Sequence, residues 1–260
     1  MKTALEYIKI GFKEELIYRS SIIWGLLTSV LAMFVQIKFW QVLISASAIS
    51  DGRSIGQYVV FIVINSVVSM LTGTRAAYMI EQYINDGTIS CALTIPATLK
   101  KQILFHDFGG NLNVLLFTVL PPAIIMALIY GFSLPDLKNG LLFVVSVTLG
   151  ALISFEVKYI IGLTAFFLIT IWFSDFFLQG FMTLFGASAI PLWFYPDWLA
   201  KVSLFLPFRY ISYEPILIFL GESESPLTAI ILQLAWLAVL FLIEKLVWRR
   251  AERKLIVQGG

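Results

Sequence analysis

Charge, cysteine and histidine are all scarce in this chain, and each scarcity closes off a class of function. Only 13% of the 260 residues are charged, against about 25% in an ordinary soluble domain. One cysteine, Cys91, excludes an intrachain disulfide and any multi-cysteine metal site. One histidine, His106, excludes any site that needs two. There is no G-x-x-x-x-G-K-[ST] run to cradle ATP phosphates. There is no G-x-S-x-G for a nucleophile elbow and no H-E-x-x-H for zinc. What the chain has instead is apolar surface, at 59% of residues. A soluble fold of this length could not hide that much, so the bilayer is the expected solvent. No internal repeat or low-complexity linker divides the chain, which predicts one membrane domain.

A spanning helix needs about 20 apolar residues. Six runs qualify: Ser20–Leu43, Ile55–Met79, Phe108–Tyr130, Asn139–Phe155, Tyr159–Ala187 and Thr228–Val247. The fourth is short, and the fifth is long and interrupted at Ser174-Asp175. Residues 1–19 precede the first run. On a helical wheel Leu5, Ile8, Phe12 and Leu16 share one face, and Lys2, Glu6, Lys9 and Lys13 another. That pattern predicts a helix in the membrane interface; the alternative is a solvated helix packed on its own chain. S-A-S-A at Ser45–Ala48 resembles a cleavage site, but the acidic, long segment before it argues against a signal peptide.

Six spans put both termini on one side. Of the 18 lysines and arginines, all but Lys38, Arg53, Lys138, Lys201 and Arg209 then share that side. The positive-inside rule makes it the cytosol, with R-R-A-E-R-K as its strongest signal. The segment 81–107 falls on the cytosolic side. Asp86-Gly87 is a turn signal and Pro96 a helix stop, so Thr88–Thr94 is expected to form a short helical piece.

The segment between the last two spans, 188–225, holds four of the nine prolines and a crowd of aromatics. It is too apolar for water. Its prolines cannot sit in a lipid-exposed spanning helix without leaving backbone groups unsatisfied. A re-entrant hairpin is expected, with Trp193, Phe194, Tyr195, Trp198, Tyr210 and Tyr213 at headgroup level and Asp197 capping a helix near Trp198. A surface loop with an aromatic belt is the alternative.

Among the polar residues of the apolar runs, Asp175 is the clearest candidate for a pathway or a subunit contact. Glu156 and Lys158 read as a short cytosolic turn. Lys38 is placed to snorkel, Pro121-Pro122 to kink the third span, and Asn111 and Asn113 to bond neighbouring helices. Glu14-Glu15-x-x-x-Arg19 matches one motif of intramembrane CAAX-type proteases, but that chemistry also needs two membrane histidines, and the chain has one.

Three stretches carry a family resemblance: D-G-T-I-S-x-x-L-x-x-P at Asp86–Pro96, A-I-P-L-W-F-Y-P-D-W-L at Ala189–Leu199 with L-P-F-R-Y-I-S-Y-E-P at Leu206–Pro215, and the basic tail ending at Gly259-Gly260. On these the chain resembles ABC-2 type transporter permeases, in the bacterial branch described as ABC-2 family transporter proteins. It departs where an arginine commonly precedes the proline; here Ile95 does. The resemblance implies an all-α bundle of six transmembrane helices in a bacterial cell membrane, with an interfacial N-terminal helix, a cytosolic coupling helix and a re-entrant hairpin before the last span. It implies a non-enzymatic export permease with no cofactor of its own. ATP and Mg would be handled by two separate ATPase subunits, and a second permease, identical or related, would complete the pathway. Coupling would involve Asp86, Gly87, Thr88, Ile89, Leu93 and Pro96. An outer gate would involve Pro191, Trp193, Phe194, Pro196, Trp198, Pro207, Phe208 and Tyr210. The competing reading is a membrane assembly subunit that transports nothing. Nucleic acid is not an expected partner; membrane lipid is.

Overall fold

The computed structural model describes residues 2–45, 55–168, 170–187 and 190–258. Of the features noted above, Arg53, Ala189, Gly259-Gly260 and most of Ser45–Ala48 lie outside them. The described chain is all-helical, 86% helix with no strand among those residues. In order the helices are α1 (Lys2–Ile17), α2 (Arg19–Ser45), α3 (Ile55–Thr72), α4 (Ala76–Asn85), α5 (Ile89–Thr94), α6 (Leu99–Val114), α7 (Leu120–Tyr130), α8 (Leu137–Leu163), α9 (Trp172–Phe185), α10 (Asp197–Leu204), α11 (Pro207–Leu220) and α12 (Pro226–Gln258).

Among the described residues, five stretches are long and apolar enough to cross a membrane: Arg19–Ser45, Ile55–Asn85, Leu99–Tyr130, Leu137–Phe166 and Pro226–Lys254. Their outer faces carry leucine, isoleucine and phenylalanine in the open, such as Ile23, Leu31, Leu128 and Leu242. In water that surface would aggregate; in hydrocarbon it is the ordinary exterior of a multi-pass membrane protein.

Several sequence expectations shift. The fourth run does not stop at Phe155. α8 continues to Leu163, and Glu156 and Lys158 are buried within it rather than forming a turn. Both charges have partners on other helices, and a paired charge does not end a buried helix. The fifth run breaks after a 3₁₀ turn at Thr164–Phe166, not at Ser174-Asp175. Asp175 stands in the first turn of α9, where a carboxylate suits the helix dipole. The second run breaks at Gly73–Arg75 and resumes as α4. The prolines of the third run follow a π-helical stretch, Leu115–Val119, and the span passes through them; a π-turn relieves the clash a proline makes with the preceding turn. Asp197 does not cap α10; Pro196 holds the cap position.

Close packing rests on small residues. α1 crosses α6 backbone to backbone: a Cβ on Gly11 would strike the His106 carbonyl, and one on Gly109 would strike Ile8. Asn113 Nδ2 donates to Phe12 O at 3.0 Å across the same crossing. One core, of Ala76, Ile80, Ile89, Ile103, Phe155 and Tyr159, lies under α5 and meets Ala251 of α12. A second, of Trp40, Tyr58, Ile62, Ala123 and Met126, joins α2, α3 and α7. A third, of Phe61, Val68, Val147, Tyr213 and Ile216, joins α3, α8 and α11.

Candidate functional site

Two regions gather the residues that the sequence singles out, at opposite ends of the bundle's long helices. At one end α4 turns through Asp86–Thr88 into α5. Gly87 takes φ +69°, a conformation that glycine adopts without penalty. Asp86, Gly87 and Thr88 are exposed on this turn, while Ile89 is buried and anchors α5 into the core. After Thr94 the chain extends past Pro96, and Thr98 caps α6 by accepting from Lys101 N at 3.4 Å. Leu93 and Pro96 face a cleft of about 730 Å³ shared with Thr3, Ala4 and Tyr7 of α1. Buried Gln102 staples the turn, its Nε2 donating to Ala92 O and Ala97 O, both at 2.8 Å.

At the other end, Pro191 opens a 3₁₀ turn at Leu192–Phe194 that plugs aromatics into the α2–α3 wall. Phe194 stacks on Trp40 with ring centroids 5.1 Å apart, and Trp193 meets Phe61 edge-on at 5.1 Å. Pro196 starts α10, Pro207 starts α11, and the two helices bend by 103° between them. Trp198 on α10 is exposed; Tyr210 is buried and donates to Leu204 O at 3.0 Å, tying the bend. Phe208 stacks against Phe181 and Phe185 of α9. Pro215 lies inside α11 and removes the donor that Ile211 O would receive. Gly150 of α8 closes over that carbonyl, and Gln233 Nε2 bridges Tyr210 O at 2.8 Å and Ser146 O at 2.9 Å. The proline-interrupted turn is thus packed by α8 and tied to α12 through Gln233.

Residues 30–259 match the family described as ABC-2 family transporter protein. The chain belongs to that family. Comparison with curated proteins and with solved structures gave no match.

In this ABC-2 chain the structure brings together charged residues that sequence reading kept apart. Lys100, two residues after the α6 cap, lies 2.6 Å from Glu156 Oε1 on α8 and 3.2 Å from Glu244 Oε2 on α12. Its ammonium also sits 4.2 Å from the Phe241 ring centre. The signal was present in the sequence: two carboxylates inside apolar runs need a cation. Nothing local says which cation it is. Lys158 and Asp175 pair at 2.5 Å between α8 and α9, so Asp175 has a partner within its own chain. Asn111 bonds Gly73 O and Asn113 bonds Phe12 O, so both hold neighbouring segments in place. Glu14 does meet His106, at 2.8 Å, and Glu15 meets Arg75 at 2.7 Å. With one histidine in the chain, that contact ties α1 to α6 and cannot build a two-histidine metal site.

Proposed function

We propose that the chain is the membrane permease subunit of an ATP-driven exporter, forming half of a translocation pathway as a single domain over residues 1–260. The observation that carries the reading is α9. It is 14 residues long, about 21 Å at the helical rise, and its Trp172, Phe173, Phe176 and Phe181 are exposed. Such an exposed aromatic surface, starting beside the Lys158–Asp175 ion pair, suits contact with a second permease subunit. α9 with its flanking segments serves as the sixth crossing, and both termini then face the cytosol. Gathering of basic residues supports that side: the part of α12 around Ala251, flanked by Arg249, Arg250 and Arg253, packs beneath α5.

In this reading α5 and its turn, through Asp86, Gly87, Thr88, Leu93 and Pro96, dock on separate ATPase subunits that hold ATP and Mg. Ile89 and Gln102 keep α5 rigid enough to transmit their closure. The bent pair α10–α11 forms a re-entrant outer gate, with Trp193 and Phe194 as its hinge-side anchor. The permease itself catalyses nothing. The deciding experiment reconstitutes the chain with its ATPase and any second permease in vesicles. Substrate export must require ATP and must fail when Thr88–Leu93 is replaced by a flexible linker that leaves membrane insertion intact. ATP-independent behaviour, or unchanged assembly and transport in the linker variant, would favour the assembly-subunit reading.

A further inference from the structure

α6 and α8 both pack against the α3–α4 segment and leave a cleft of about 350 Å³ between them, inside the usual range for small-molecule sites. All its walls belong to candidate spans. Phe108 and Val144 are exposed beside it, and Phe143, Val147, Leu152 and Phe155 line its interior. In a membrane protein an opening of that kind fills with hydrocarbon rather than water.

One end of the cleft differs. There α3 breaks, and the lining is Gly73, Thr74, Asp107 and Asn111. Asn111 Nδ2 donates to Gly73 O, which leaves its carbonyl oxygen as an acceptor. The Asp107 carboxylate accepts from Arg75 N at 3.1 Å. Arg75 is shared, with Glu15 at 2.7 Å and Asp107 at 3.8 Å, so two carboxylates face one guanidinium. The polar end offers acceptors, the Asp107 carboxylate and the Asn111 carbonyl oxygen, beside a helix interruption of the sort that holds ligands in membrane transporters.

We infer that the cleft between α6 and α8 binds a single-chain amphiphile drawn from the bilayer, its alkyl chain between the two helices and its cationic, hydrogen-bond-donating head at the α3–α4 break. The site requires only that the chain be a membrane protein, so it stands or falls apart from export. A dodecylamine carrying a diazirine in its tail tests it, with the purified protein in phosphatidylcholine nanodiscs. Photolabelling is expected to saturate and to concentrate in peptides containing Phe108 and Val144–Leu152. Unlabelled dodecylamine should compete about tenfold better than dodecyl sulfate, the discrimination expected of one well-placed charge. Ala151→Phe fills the cleft and should cut labelling about tenfold at unchanged elution volume and thermal midpoint. Thr148→Trp, at an exposed position on the rim, should do the same without touching the core. Labelling spread evenly over the exposed faces of α2, α8 and α12 would overturn the site. So would equal competition by dodecyl sulfate, or full labelling in both variants.

Discussion

Replacing Lys100 with methionine is the sharpest test of how this bundle tolerates charge. The ammonium lies 2.6 Å from one carboxylate and 3.2 Å from another. At an effective dielectric near 20 those separations correspond to roughly 6 and 5 kcal/mol of attraction. Much of that offsets the desolvation of three charges, so the triad adds little net stability over apolar packing. Removing only the cation is different. Glu156, with 2% of its side chain exposed, and Glu244, with 14%, are left facing each other without compensation. The expected loss is about 3–5 kcal/mol, seen as a thermal midpoint lower by on the order of 10 °C in detergent. Lys100→Met combined with Glu156→Gln and Glu244→Gln removes every charge and should recover most of the loss. Glu156→Gln alone should cost less, because Lys100 keeps Glu244. A Lys100→Met midpoint within about 0.5 kcal/mol of the parent, or a triple variant no more stable than the single one, would refute the argument.

Three further outcomes are expected. Gly109→Leu drives a side chain into Ile8 of α1; it should cost about 1–3 kcal/mol and expose α1 to protease, while Gly180→Leu, which meets open space, should not. Gln102→Leu removes both staples of the α5 turn. Leaving two carbonyls unpaired costs about 1–3 kcal/mol each, and hydrogen exchange across α5 should quicken while exchange in α8 stays unchanged. In a Cys91→Ser background, cysteines at Trp198 and Glu222 should react with an impermeant reagent from outside intact cells and one at Arg253 should not; the reverse pattern would invert the orientation.

Local signals made part of this structure legible. Proline marks boundaries because it cannot donate, and Pro191, Pro196 and Pro207 do begin a turn, a helix and another helix. The Asp86-Gly87 turn and the short α5 were legible for the same reason: glycine's freedom and a proline stop act within a few residues. Long apolar runs announced helices and a bilayer. The plainest misreading involves partners distant in sequence. Glu156 and Lys158 look like a turn until Lys100, Glu244 and Asp175 are brought up from three other helices. Nothing local marks Gly11 and Gly109 as the place where two backbones cross. Nothing local assigns Gln102 its two carbonyl partners. Periodicity reports which face is apolar; it carries no information about which charge compensates which.

One short helix links two of the interruptions in the bundle. α4 begins where α3 breaks, at Gly73–Arg75, and the break's backbone is satisfied from α6 by Asp107 and Asn111. Its other end turns directly into α5. Between those ends, Glu81 Oε1 accepts from Thr170 Oγ1 at 2.9 Å and from Ile171 N at 3.0 Å, fixing the segment from which α9 starts. The helix also packs on α8, with Gly162 close against Ala77 and Ile80. A ten-residue helix freed from its span at one end and bonded to a second broken element at its middle is a rigid lever with few covalent restraints. A displacement of α4 therefore meets the Glu81 bonds to the segment that starts α9. One of those bonds is a carboxylate accepting a backbone N–H, worth about 1.5–3 kcal/mol for a hydrogen bond to a charged group. The segment that starts α9 is thus bonded to the helix that leads into the α5 turn, although the chain between them crosses the bundle twice.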